Sequence, residues 1–415
     1  MRLVAIAVLL LPIVPVMACV GDDPAGVQPV ADGGGTVSEG GPPGSDGDGG
    51  TDSGPESGVV CPSGLTDCDG DGVCDVALAS DPENCGACGR SCGGTTCSNS
   101  TCLAKEIRGG LDEPLSLAVN ASSVMWARNG ALESCAKTGC NGNPALIAKD
   151  FVLYEGSPRK MFATDAHVFW IARPTAASSR GNLYRCEVTG CIQASPTVLE
   201  EAGFSGLVVA NSTDFFRYEL AGSLYVGPID ASAPSTVFPQ AYSETNYTYG
   251  VDDAHLAWFD VGETVYNNRG VYVCSLPCTK TPTRILAQGR HVAVRGGVVY
   301  ASRNDDDSNP TASELFRCEV TGCGGSGTNL TVAKEGVITD VIVDDTSVYW
   351  LVRGNVGSAN GAVRACSLPD CKGGPRTLAS DQAQPVAITQ DADFVYWANR
   401  GTGAANTGSI QRVRK

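Results

Sequence analysis

Three kinds of residue in this 415-residue chain have chemistry to offer through their spacing: alternating aspartates, a recurrent arginine and nineteen cysteines. Asp67, Asp69 and Asp71 occupy positions one, three and five of a twelve-residue loop with Gly72 at six, a pattern that lets hard oxygen donors converge on calcium. Position twelve is Leu78, so the bidentate carboxylate is missing, although Asp75 stands at nine. An acidic turn between disulfides is the expectation, calcium is the alternative, and no other cofactor is implied. The arginine follows an aromatic strand in six of seven repeats, as Arg128, Arg173, Arg217, Arg303, Arg353 and Arg400; the other repeat has Asp260. A ring of guanidinium groups there could grip an anionic partner bidentately. The favoured expectation is plainer: each arginine pairs with a nearby acid or carbonyl. Tyr242, Tyr247 and Tyr249 in one loop and Asp305, Asp306 and Asp307 in another are expected on the same face, where tyrosine beside arginine suits carbohydrate or peptide contacts.

Catalytic signals are weak. His167 and His255 lie in matching turns, DAHVFW and DAHLAW, and are expected to be exposed turn residues; His291 has no evident partner. No GxSxG elbow appears, and GCGGSG at 322–327 matches GxGxxG only inside a cysteine hairpin, where no phosphate-binding strand–helix turn can form. No catalytic residue is assigned.

The chain organises these residues in four segments. The first, 1–19, has Arg2, an apolar run too short to span a bilayer and Ala18 before Cys19, and reads as an export signal. Residues 20–58 carry eight acids and no base among Gly, Ser and Pro, a composition that cannot offset chain entropy and makes a disordered, solvated tether. Residues 59–102 hold eight cysteines in 44 positions, the mark of a small disulfide framework replacing an apolar core, with 105 possible pairings. That many cysteines exclude a reducing cytosol. The net charge of −16 excludes nucleic acid as a partner; half of it lies in the tether, and residues 103–415 carry only −4.

Residues 103–415 repeat. The triplets VMW, VFW, DFF, LAW, VVY, VYW and VYW, beginning at 124, 168, 214, 256, 298, 348 and 395, are spaced by 42 to 50 residues, and all five tryptophans fall in them. Short β-branched and aromatic runs bounded by Gly, Asp and Asn are strands, and four per unit at this period make the blade of a β-propeller. The last unit ends after three strands, so Leu103–Ile107 is expected to supply the fourth and close a seven-bladed ring. Cysteines five or four apart, Cys135–Cys140, Cys186–Cys191, Cys274–Cys278, Cys318–Cys323 and Cys366–Cys371, bracket the turn between strands three and four and are expected to be local staples. The fold class is therefore all-β: a seven-bladed propeller behind a signal, a tether and a disulfide module.

Three resemblances add to this. Val16-Met17-Ala18-Cys19 resembles a bacterial lipobox, which implies a lipidated Cys19 holding the protein on a bilayer. Val20 in place of Asp implies the outer membrane by the same likeness; an ordinary secretory signal and a secreted protein are the alternative. The stretch DPENCGACG with its following cysteines resembles short modules near the N-termini of bacterial surface lipoproteins. Tyr349-Trp350 and Tyr396-Trp397 resemble the blade pattern of TolB-like and YWTD-like propellers, though neither pair is followed by Thr-Asp. Together they imply a membrane-anchored, monomeric binding or interaction lipoprotein whose propeller face takes an envelope, glycan or protein partner. An extracellular propeller lyase or hydrolase, with its site at the channel mouth, is the alternative, and a structural envelope protein is the third reading.

Overall fold

In five of the seven blades the turn between the first two strands is held by its own first side chain, an Asn or Asp. Asn120 Oδ1 accepts the backbone N–H groups of Ser122 and Ser123 at 3.1 and 2.8 Å, and Asp344 Oδ1 those of Thr346 and Ser347, both at 2.8 Å. Asn211, Asp252 and Asp391 do the same in their blades. These are Asx turns, in which a short polar side chain replaces a backbone partner and reverses the chain without a helix. In the computed structural model, residues 60–415 are described except for 129, 154–160, 176–177, 179–180, 193–194, 220–222, 231, 233–235, 242–248, 261–268, 306–309, 325–326 and 331–334. Cys19 and the tether lie outside the described residues.

From each turn the chain runs into a second strand buried on both faces, as in His167–Ala172 and Ser347–Val352. Such a strand is largely apolar because it lies between two neighbours in its own sheet and a blade on either side. Blade one is Ser116–Val119, Ser123–Arg128, Ala131–Ala136 and Ala145–Lys149, antiparallel in that order. Blades four, five and six are likewise separate four-stranded sheets, and the innermost strands neighbour one another around the ring. Blades two and three differ: one strand, Thr197–Ala210, serves as the outer strand of blade two and the inner strand of blade three, joining them in a seven-stranded sheet. The ring closes on blade seven, where Lys105–Leu111 pairs antiparallel with Gly408–Arg414.

The buried core divides into one apolar cluster per seam between blades, seven in all among the described residues. Cross-strand register shows which residue faces which seam. Trp126, Trp170, Trp258, Trp350 and Trp397 pair with Glu133, Tyr184, Tyr272, Arg364 and Gln411 of their third strands, and each faces the preceding blade. In blades three and five the equivalent position is Arg217, opposite Tyr225, and Ala301, opposite Phe316. The aromatic triplets DFF and VVY are thus one residue out of register with the others. Phe216 and Tyr300 project to the opposite face, toward the following blade, as the two-residue period of a strand requires.

All five cysteine pairs of the blades are disulfides: Cys135–Cys140, Cys186–Cys191, Cys274–Cys278, Cys318–Cys323 and Cys366–Cys371. In the module the pairing is Cys61–Cys74, Cys68–Cys88, Cys85–Cys97 and Cys92–Cys102. The last two cystines are buried and form the module's own core. Module and propeller make one compact unit, 59–415. Their contact lies on blade seven, where Arg412 Nη2 donates to Gly93 O at 2.8 Å and Arg90 Nη2 to Lys415 O at 3.2 Å.

Two seams carry the same ionic device. Lys415 Nζ lies 2.7 Å from Asp344 Oδ2, which also accepts from Tyr349 Oη. Lys137 Nζ lies 2.7 Å from Asp391 Oδ2, which accepts from Tyr396 Oη. In both, a lysine after one blade's third strand neutralises the turn aspartate of the blade before it. Burial alone would raise the Asp344 carboxyl, but the Lys415 ammonium, the Thr346 N–H and hydroxyl and the Ser347 N–H outweigh it and hold the group down at about 2. Burial and the adjacent Asp344 charge push the Tyr349 phenol up to about 12. Because the folded carboxyl titrates below its unfolded value of about 3.9, its contribution to stability is complete above roughly pH 4 and is lost as pH falls through about 2. Denaturant unfolding of the wild type should therefore weaken from pH 5 to about pH 2. Lys415→Met should lose stability mainly at neutral pH and flatten that dependence; a variant with an unchanged acid slope would remove this pair as its source.

Candidate functional site

Strand two runs in every blade from the turn after strand one toward the same edge of the disc, so its end brings the candidate arginines to one side at three kinds of position. Arg128 and Arg303 lie two residues beyond the tryptophan position and share its face. Arg128 ion-pairs with Glu133 at 3.0 Å, and the same carboxylate accepts Trp126 Nε1 at 3.0 Å, so one nearly buried acid satisfies two donors. Arg303 ion-pairs with Glu314 and lays its guanidinium over the Phe316 ring at 4.4 Å. Arg173, Arg353 and Arg400 lie one residue further on, just past the strand ends. Arg400 makes a bidentate pair with Glu113 from the closing segment, both bonds 3.2 Å. Arg173 Nη1 donates to Ser178 O at 3.5 Å. Arg353 has no side-chain hydrogen bond or ion pair among the described residues, and its Nε is buried without a partner.

Arg217 stands apart. It occupies the tryptophan position of blade three, is 4% exposed, and stacks its guanidinium 3.9 Å over Tyr225. The equivalent pairs elsewhere are the stacks Trp170–Tyr184 and Trp258–Tyr272, with ring centroids 5.4 and 6.0 Å apart. A planar, weakly hydrated cation has taken the place of an indole on the same tyrosine face. Asp260, in blade four, is fully buried. The geometry thus assembles Arg128, Arg173, Arg303, Arg353 and Arg400 along one edge, and sets Arg217 within a seam.

Of the aromatic loop, Tyr242 and Tyr247 lie outside the described residues. Tyr249, expected on that face, is instead 1% exposed and pairs with Trp258 in the seam between blades three and four. The alternation of the inner strand that begins there turns it inward. Asp306 and Asp307 also lie outside the described residues; Asp305 accepts from Thr311 N and Ala312 N at 3.0 Å and from Thr311 Oγ1 at 2.6 Å.

In the module the oxygens of Asp67, Asp69 and Asp71 lie within 4.8 Å of one another. Asp67 spends both oxygens on backbone N–H groups, of Gly70 at 2.7 Å and Gly72 at 3.0 Å, which hold its carboxyl below the usual range. Asp71 Oδ1 accepts Val73 N at 2.7 Å. Among the described residues these three carboxylates could hold a metal ion, and their hydrogen bonds define the turn.

His167 and His255, expected to be exposed turn residues, are less exposed than that. His255 and His167 are half-buried, with His255 Nδ1 3.3 Å from Asp252 Oδ1, and His291 is buried. The axial cavity, 190 Å³, is walled by Leu117, Phe162, Val208, Val251, Ile342 and Ile388 from six blades. Its lining offers one hydroxyl, Thr389, and no ionisable side chain.

No family model matches this sequence, and no curated protein does. Solved structures do match. The structure of U3-55K aligns with a TM-score of 0.52 at 10% identity over 75% of this chain and 98% of its own. The RRP9 WD40 repeats align with a TM-score of 0.50 at 11% identity over 75% and 97%. At such identities the likeness extends to the fold, and the chain is by its own strand order a seven-bladed β-propeller.

Proposed function

We propose that this is an exported, membrane-anchored binding protein that presents its propeller to an envelope, glycan or protein partner. One observation carries the export and anchoring: nine disulfides use every cysteine except Cys19. So many local cystines form and persist in an oxidising compartment, and the cysteine left over is the one placed after an export signal. Recognition falls to the loop edge beyond strand two, because loops on a rigid scaffold carry function while the propeller fold itself is shared by unrelated activities. Arg353 and Arg173 on that edge suit an anionic group of the partner. A hydrolase or lyase at the channel mouth finds less support, since the axial cavity is lined by apolar side chains.

Metabolic labelling with palmitate tests the anchor. The wild type should be labelled and sediment with membranes, while Cys19→Ala should lose the label and move to the soluble fraction. A wild type that takes up no lipid would sink the anchor and leave a secreted protein.

A further inference from the structure

Blade five breaks the tryptophan period, and a polar pocket of about 350 Å³ opens at the end of its second strand. Ala301 stands where five blades have an indole, and Arg303 instead covers Phe316. The pocket is lined by Gln288, Arg303, Asn304 and Asp305 on one side and by Ala312, Ser313 and Glu314 on the other. Its volume is within the range of about 300–1,000 Å³ typical of small-molecule sites.

Most of the lining is fixed by protein partners. Arg303 and Glu314 hold each other, and Asp305 is tied to the Thr311–Ala312 backbone. Ser313 Oγ donates to Asn304 Oδ1 at 2.7 Å and accepts Ile338 N at 3.0 Å. That bond sets the orientation of the Asn304 amide. Its Nδ2 is left buried with no hydrogen-bond partner among the described residues. A buried amide nitrogen without an acceptor costs about 1–3 kcal/mol; because this one is closed to water, a ligand oxygen would recover that penalty as the amide shifts toward the pocket that Asn304 lines.

We propose that this pocket binds a single neutral, hydroxyl-bearing unit, such as one residue of a glycan. The reasoning is chemical. Donors (the Asn304 and Gln288 amides, Arg303) and acceptors (Glu314, Asp305) line one small space together, matching a polyol, whose hydroxyls both donate and accept. The carboxylates outnumber the guanidinium, which disfavours an anion. A peptide would need apolar subsites for its side chains, and the lining offers one methyl, that of Ala312. The proposal rests on the binding reading above and narrows it to one place and one ligand class.

Calorimetric titration of the purified full chain with glucose, galactose and N-acetylglucosamine, and with glucuronate and a short neutral peptide as comparators, tests it. At least one neutral sugar should bind with a dissociation constant of about 1 mM, and Asn304→Leu, shown to be folded by its cooperative melting, should weaken it about tenfold. Overturning results are no neutral sugar bound by the wild type up to about 50 mM, tighter binding of glucuronate or the peptide, or equal binding by a folded Asn304→Leu. Capture of a protein partner by a wild type that binds no sugar would overturn the pocket and leave the binding reading standing.

Discussion

Trp350→Ala is expected to lower the unfolding free energy by about 3–5 kcal/mol, measured by urea unfolding at neutral pH. The indole is fully buried in the seam between blades five and six, against Ile338, Val341 and Leu315. Its Nε1 has no hydrogen-bond partner among the described residues, so the loss is one of packing and cavity. Trp350→Phe should therefore cost much less than Trp350→Ala. Trp397→Phe should cost more than Trp350→Phe, because Trp397 Nε1 donates to Gln382 Oε1 at 2.8 Å and that buried carbonyl would lose a donor. Blade five supplies the converse. Ala301→Trp is expected to destabilise by about 1–3 kcal/mol, since overpacking strains a filled seam. A Cβ on Gly289 would already lie 3.7 Å from the Ala301 methyl, which places the preceding connection close against it. Trp350→Ala within 1 kcal/mol of wild type, or a stabilising Ala301→Trp, would refute this account of the seams.

The ring, its closure and the hairpin disulfides were legible in the sequence because three local signals recur together. A turn residue, a tryptophan six positions later and a cysteine pair on the third strand each have a near-neighbour cause: an Asx turn, a seam and a hairpin. Register was less legible. Aromatic identity is a poor ruler, since Phe216 and Tyr300 are aromatic for a different reason, the seam on the other face of their strands. Counting from the turn gives the observed register: Asn211 bonds Asp214 as Asn120 bonds Ser123, and six residues on stand Arg217 and Trp126. The same slip made the arginines look like one ring when they occupy three kinds of position. Their partners were hidden for another reason. Glu113 meets Arg400 across 287 residues of sequence, a contact that exists only once the ring has closed. The strand shared by blades two and three was equally hidden, because nothing in its composition distinguishes one long strand from two. Asn304 carried a usable signal in hindsight, the missing tryptophan three residues before it.

Gly93→Ala is expected to cost about 2–4 kcal/mol, and Gly94→Ala, its neighbour, about 1 kcal/mol. Both glycines have positive φ, 63° and 84°, so both substitutions strain the backbone. Around Gly94 there is open space, whereas a Cβ on Gly93 would overlap the Phe394 ring at the start of blade seven's second strand. The difference between the two variants is therefore the contact itself. What the contact holds follows from its position. Cys92, next to Gly93, is bonded to Cys102, and three residues beyond Cys102 the chain enters Lys105–Leu111, the strand that closes the ring. Arg412, on the strand it pairs with, donates to Gly93 O and covers Phe394 at 4.2 Å. The module thus fastens the root of the closing strand to the strand it must find, and lowers the entropy cost of joining chain segments some 300 residues apart. Hydrogen exchange should accordingly speed up in 105–111 in Gly93→Ala more than in Gly94→Ala, with little change in blades four and five. Truncating the ring in the Gly93→Ala background, as Phe394→Ala, should make the remaining cost of the glycine substitution resemble that at Gly94. Equal penalties at Gly93 and Gly94 in the wild-type background, or faster exchange spread evenly over all blades, would mean that the module rides on the propeller without securing it.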